Sequence, residues 1–240
     1  MPQLSLVELL GFGPNGWGAA LLFGAQMTVL IAFVGYLVGA TIGTLGAWAK
    51  IAGSLPVRVI AEVYTTVLRG LPDLLVVYIF YFGGSRAIGA LATYFGHSGF
   101  ISIPAFLAGS LAIGVTSGAQ FTEVFRGGYK AVSRGEVEAA VAFGMPRRIR
   151  FRRIIAPLTL RFALPGLGNI WQVVLKESTL LSAIGVAELV QAAQVGAGST
   201  GLSFEFYLLA GGLFLVITSL SGILMQLAER RLLRGVKRSA

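Results

Sequence analysis

The chain has 240 residues, of which 55% are hydrophobic and only 12% charged, and its mean hydropathy is +0.80. A soluble domain carries about 25% charged residues, so this composition points into a membrane. The absence of cysteine excludes disulfides and thiolate metal centres, and the net charge of +9 raises nucleic acid as a partner only until its distribution is examined.

The first residues lack a basic cluster, and the apolar stretch that follows is too long for a cleavable signal. They read as a short external helix, lying in the interface, that leads into the first span. Five stretches then approach the roughly 20 apolar residues needed to cross a hydrocarbon core: Trp17–Ala47, Val59–Gly83, Pro104–Phe125, Ile155–Ile184 and Phe204–Ala228. The fold class expected is all-α integral membrane with five transmembrane helices, one transmembrane domain over residues 1–240.

Lysine and arginine set the orientation, because cytoplasmic loops carry the excess. None precedes the first span. Lys50 and Arg58 follow it, Arg86 stands alone after the second, and the next loop is dense with arginine from Arg126 to Arg153. The loop after the fourth span has none, and the tail carries Arg230, Arg231, Arg234, Lys237 and Arg238. This alternation predicts the N-terminus outside and the C-terminus inside. It also accounts for the positive charge without nucleic acid.

Span one places Gly35, Gly39, Gly43 and Ala47 at four-residue intervals on one face, a pattern for close helix packing. Span two contains Arg58, Glu62, Arg69 and Asp73. Arg58–Glu62 and Arg69–Asp73 have i,i+4 spacing for ion pairs, and Pro72 should bend the helix. Charged groups at membrane depth face a partner or a watery cavity, so a structural pair and a substrate contact both stand. In span three, Gln120 and Glu123 occupy adjoining turns, with Arg126 three residues on. Glu123 is either Arg126's intrahelical partner or an acidic residue on the path of a cation.

Residues 133–157 form a separate element. Ser133 and Glu136 have capping-box spacing, and Glu136 and Glu138 favour the positive end of a helix dipole. Ala139, Ala140 and Ala142 keep the helix thin. Gly144 can close it in the left-handed conformation, and Pro146 blocks continuation. The expected helix covers about 134–144 and faces the cytoplasm.

Span four is the richest in polar groups. Asn169 and Glu177 lie about 80° apart on an ideal helix and could line one cavity. Lys176 could pair with Glu177, snorkel to the interface or meet a substrate carboxylate. Pro165 is expected to kink or break the helix above Arg161. His97, the sole histidine, falls in an external loop, and no G-x4-G-K-[ST] phosphate loop occurs. The chain therefore reads as no enzyme, without a catalytic or metal site and without an ATPase of its own.

Glu138-Ala139-Ala140, Gly144, Ile154 and Pro157 resemble the E-A-A-x3-G-x9-I-x-L-P motif of permease subunits of type I ATP-binding-cassette importers, with Ala156 where leucine is frequent. TTVLRGLPDL resembles the T-x-x-R-G-x-P signature of polar amino-acid permeases. The run Gly168-Asn169 followed by Lys176-Glu177-Ser178-Thr179-Leu180 resembles a second stretch of that group, and the closing E-R-R a third. The likeness is greatest to the Q-type permease of histidine, lysine–arginine–ornithine and opine importers, in a bacterial inner membrane.

The resemblance implies a permease that couples to separate ATPases through Glu136, Glu138, Ala139, Ala140, Gly144, Ile154 and Pro157. It places substrate contacts on Glu177 and Asn169, with Glu123, Gln120 and Lys176 as further candidates. Some relatives carry an acid directly after the asparagine; Ile170 stands there, which puts a two-acid clamp in doubt. Glu177 is then either a substrate contact or the structural partner of Lys176 or of another chain. The implied partners are a homologous second permease (a homodimer stays open), two ATPase subunits that bind ATP and magnesium, a periplasmic solute-binding protein and the bilayer. A secondary transporter driven by an ion gradient, and a membrane enzyme, are the competing classes; the first would not need the motif and the second would need a catalytic constellation.

Overall fold

Eight helices account for the regular structure of the computed structural model, which describes residues 11–13, 16–95 and 103–232, with no strand among them. The expected N-terminal helix, His97 and the basic residues Arg234, Lys237 and Arg238 lie outside the described residues. The helices are α1 (Gly18–Ala52), α2 (Leu55–Gly70), α3 (Asp73–Tyr94), α4 (Ala105–Lys130), α5 (Arg134–Ala142), α6 (147–177), α7 (Leu189–Thr200) and α8 (Ser203–Leu232). Single π turns interrupt α3 at Ile79–Gly83 and α6 at Phe151–Ile155. A 3-10 turn, Ser178–Ile184, continues α6 and ends at Gly185 with φ of +79°.

Among the described residues, three helices are long and apolar enough to cross a membrane: Gly18–Ala52, Asp73–Tyr94 and Ser203–Arg231. The expected stretch Val59–Gly83 is corrected here. α2 stops at Gly70, Leu71 and Pro72 are extended, and the apolar helix starts at Asp73. Proline disfavours the helical conformation in the residue before it, so Pro72 separates two helices instead of bending one. At the expected third stretch, α4 carries Ser110, Thr116, Ser117 and Thr122 inward, all buried. A helix packed against protein does not need the continuous apolar surface that lipid demands. α6 passes through Pro165 without a break, although Pro165 cannot donate to the carbonyl of Arg161; of the expected kink or break, the break is not made.

The described residues form two compact units, each of which has its own packing. The first comprises residues up to Gly35 with those of Pro72–Ile113 and Val173–Leu220. Its core is Leu21, Ala25, Leu189, Ala193, Ala197, Phe206 and Ala210, with Trp17 edge-on to Phe206 at 5.5 Å. Phe206 lies directly on Gly196, where a Cβ would come within 2.1 Å of the ring.

The second unit comprises Tyr36–Leu71, Gly114–Gln172 and residues from Ser221 on. Here the small-residue face of α1 meets α4. A Cβ on Gly39 would sit 2.3 Å from Ser117 Oγ, and one on Gly43 2.2 Å from Phe121 Cβ. Tyr36 stacks edge-on against Phe121 and Trp171 and donates to the Leu167 carbonyl at 3.2 Å. Close packing is thus the role that the structure gives this glycine series.

Candidate functional site

In the first unit, hydroxyl side chains shape the end of α6. Ser178 Oγ donates to the Leu175 carbonyl at 2.8 Å, Thr179 Oγ1 to Lys176 at 2.7 Å and Ser182 Oγ to Thr179 at 2.9 Å. Each bond spans three residues. This local competition for carbonyls accompanies the tighter 3-10 winding there. Glu177 is the last residue before the tightening. It is only 8% exposed, and its Oε2 has no hydrogen-bond partner.

The segment Asp73–Tyr78, which opens α3 with Asp73 in its first turn, packs against the 3-10 turn. The Asp73 carboxyl group lies near enough to that of Glu177 for the two acids to interact. Ile170, in the position that left a clamp in doubt, is buried. The expected Arg69–Asp73 pair is not made, because the helix break intervenes. The Lys176–Glu177 pair is not made either. Lys176 is exposed and lines a groove of about 340 Å³ with Thr179, Leu189, Val190, Tyr207 and Phe214.

A third acid of this unit gave no sequence-level expectation. Glu188 is fully buried and caps α7, accepting from the backbone of Val190 at 2.9 Å and Gln191 at 2.8 Å. Thr28 of α1 donates to it at 3.4 Å and accepts from Leu189 N–H at 3.1 Å. An acid immediately before an apolar helical turn was the available signal.

Asn169, Gln120 and Glu123 belong to the second unit; Asn169 is exposed and the other two are half-buried. Glu123 is engaged on both oxygens. One accepts from Lys50 Nζ at 2.7 Å, the other from Arg126, whose Nε stands at 2.9 Å. Lys50 is buried, and it also reaches Glu62 at 2.7 Å and Thr65 Oγ1 at 2.6 Å. Glu62 thus takes Lys50 in place of the expected Arg58. The intrahelical Glu123–Arg126 pair is present, within a larger network centred on a lysine that the sequence left among the orientation charges.

The helix expected at about 134–144 is α5, and it is exposed except at half-buried Val137 and buried Ala140. Ser133 is its N-cap residue but makes no side-chain cap bond, so the capping box is not formed; the first turn is closed instead by Val137 N–H to Ser133 C=O. The other end matches the expectation. Gly144 has φ of +69°, its N–H donates to Val141 at 2.9 Å, and Met145 N–H reaches back to Ala140 at 3.0 Å. This pair of bonds is the Schellman arrangement. Glu136, Glu138 and Ala139 are exposed, as is Pro157, and Ile154 is half-buried. Val141 and Phe143, the latter 84% exposed, leave apolar surface at the closed end.

Residues 39–234 match the family model of the binding-protein-dependent transport system inner membrane component. The chain is 52% identical over 231 residues to the octopine transport system permease protein OccQ of Rhizobium radiobacter, covering 96% of this chain and 98% of that one. It is 39% identical to the histidine/lysine/arginine/ornithine transport system permease protein HisQ of Escherichia coli, covering 93% and 98%. The crystal structure of an amino acid ABC transporter with histidines superposes with a TM-score of 0.77 at 32% identity, covering 90% of this chain and 95% of that one. With these matches the ion-gradient transporter and the membrane enzyme lose their ground, and a solute-binding protein and an ATPase follow as the partners of such a component. The chain belongs to the family of binding-protein-dependent transport system inner membrane components, as a permease of the inner membrane.

Proposed function

We propose that this chain forms half of the translocation pathway of an ATP-driven importer for basic amino acids or opines, pairing with a homologous second permease. The observation that carries the reading is Glu177, a carboxylate 8% exposed with one oxygen unpartnered, in a chain otherwise dominated by apolar helices. A buried carboxylate without a partner is costly, and a cationic cargo offsets that cost through charge-assisted hydrogen bonds. The relatives named for octopine and for histidine, lysine, arginine and ornithine support the same class. Asn169 and Gln120 add amide contacts, and Lys176 offers a partner for a substrate carboxylate. Glu123, which already holds Lys50 and Arg126, shapes the path.

The chain acts as one permease domain with five membrane-spanning stretches, N-terminus outside and C-terminus inside. The distribution of lysine and arginine supports that orientation. α5 sits in the most basic loop and docks in a groove of a cytoplasmic ATPase subunit, with Ala139 and Ala140 permitting close approach. Two such subunits bind ATP and magnesium, and their closure rotates the paired permeases, since packed helices switch between discrete arrangements. A periplasmic binding protein delivers the cargo, and hydrolysis resets the pair.

Proteoliposomes containing the permease pair, its ATPases and its binding protein test this. Arginine uptake should require Mg–ATP on the ATPase side, stop with vanadate and persist when ionophores dissipate ion gradients. Uptake without ATP that collapses with an ionophore overturns the reading.

A further inference from the structure

We infer that the arginine run opening α6 is a binding site for the phosphate head groups of anionic phospholipids. The surface is separate from the transport pathway, and the inference takes from the proposed function only that this end of α6 lies at the cytoplasmic side.

Arg147, Arg148, Arg150, Arg152 and Arg153 fall within seven residues. Four are exposed and Arg150 is half-buried. Among the described residues none of the five forms an ion pair, and the Nε of Arg150 has no hydrogen-bond partner. α5 packs against this segment, yet its acids Glu136 and Glu138 leave the arginines unpaired. Membrane orientation needs positive charge of either kind, whereas all five residues are arginine. A guanidinium presents its donors in a fork that holds two phosphate oxygens at once, which an ammonium does not. The run therefore fits an oxyanion more closely than orientation alone requires.

The apolar neighbours assign that oxyanion to a lipid. Ile149 and Phe151 stand exposed among the arginines. Leu160, also exposed, follows Arg152 by eight residues, about 12 Å along the axis. The π turn Phe151–Ile155 winds less per residue than an α-helix. It thus brings Arg148, Arg152 and Leu160 closer to one face than an unbroken α-helix would. That face passes from guanidinium to hydrocarbon over about the depth of a head-group layer, ~5–8 Å a side, with the reach of an arginine side chain added. Being continuous with surface that meets acyl chains, it holds the guanidiniums at the level of the phosphates. A soluble acidic partner matches the charge alone.

The first arm of the test uses the wild-type permease–ATPase complex in nanodiscs of phosphatidylglycerol or of phosphatidylcholine. Phenylglyoxal modifies accessible arginines, and mass spectrometry maps them. Phosphatidylglycerol should slow modification of Arg148 and Arg152 severalfold relative to phosphatidylcholine, with Arg134 of α5 unchanged. Equal rates in the two lipids overturn the site. Equal shielding by inorganic phosphate added to phosphatidylcholine discs overturns its assignment to a lipid.

The second arm reads phosphatidylglycerol affinity of the complex in detergent by native mass spectrometry. Each arginine near an anionic surface contributes about fivefold, so Arg148→Gln with Arg152→Gln should weaken binding about 25-fold. Lysine at both positions should recover part of the loss. Arg230→Gln with Arg231→Gln, which removes the same charge from α8, should leave the affinity unchanged; an equal fall there shows diffuse charge and overturns the site. A variant complex that loses its ATPase subunits while keeping wild-type lipid affinity also overturns it, because the arginines then hold a protein. Both arms read binding and not uptake, so their failure leaves the importer reading standing.

Discussion

Replacing Gly144 isolates the contribution of one backbone conformation to coupling. At φ of +69° a residue with a Cβ carries a cost of about 1–2 kcal/mol. No atom lies within 4 Å of a Cβ built there, so the cost is conformational and not steric. If the chain relaxes out of the left-handed region, it loses the two bonds from Gly144 to Val141 and from Met145 to Ala140. α5 has nine residues, whereas isolated helices shorter than about 12–15 residues are marginal in water. A loss of 1–2 kcal/mol therefore changes the ratio of formed to unformed α5 by about five- to thirtyfold. Only Ala140 of α5 is buried, so the remaining helices should assemble and insert normally. In proteoliposomes, membrane levels should match the wild type while arginine transported per ATP hydrolysed falls. The order of loss should be Asn least, then Asp and Ala, then Val, because asparagine tolerates the left-handed region and β-branched residues do not. Gly144→Asp should thus uncouple uptake from hydrolysis. Wild-type coupling in Gly144→Val would refute the reasoning.

Lys50→Met should destabilise the protein by about 3 kcal/mol, the lower end for breaking a buried ion pair, because Glu62 is largely exposed and Glu123 keeps Arg126. A lowered Tm of the purified complex checks it, and adding Glu123→Gln should deepen the loss, because it also unpairs Arg126. Glu188→Ala removes the cap of α7 and should cost about 1–2 kcal/mol, read as faster hydrogen exchange confined to 189–193 and the facing turn of α1; unchanged exchange there would mean that water replaces the cap. Pro72→Ala lifts the restriction on Leu71 and lets α2 run into α3, which turns Asp73 away from Glu177. Amide exchange protection should then run unbroken across residues 70–74, and a break retained there would show that packing, not Pro72, ends α2.

The fold was legible where local chemistry decides it. Gly144 and Pro146 end α5 by rules that act within a few residues, and the structure follows them. The glycine face of α1 announced close packing, and Ser117, Phe121 and Thr122 fill it. Hydropathy was least informative for α4. Its serines, threonines and Gln120 lower the apolar average because the helix packs against protein. The span boundary at Val59–Gly83 failed for a different reason: an apolar average runs smoothly across Leu71–Pro72, whereas the backbone cannot.

The same break explains which parts of the site were hidden. An i,i+4 rule applied through Pro72 assigns Asp73 to Arg69, because a continuous helix would hold both on one face. Once the helix ends at Gly70 that face no longer exists, and Asp73 belongs to the first turn of a new helix with a new neighbour. Glu177 was visible because its surrounding run, K-E-S-T-L, is contiguous, but the acid near it lies 104 residues earlier in the chain. Lys50 was assigned to membrane orientation because positive-inside counting treats every loop lysine alike; its three partners come from α2 and α4. In each case the missing information was the pairing of distant helices, which a carboxylate or a lysine satisfies once the fold has brought its partner near. The Lys50 network balances its charges internally, two cations against two carboxylates.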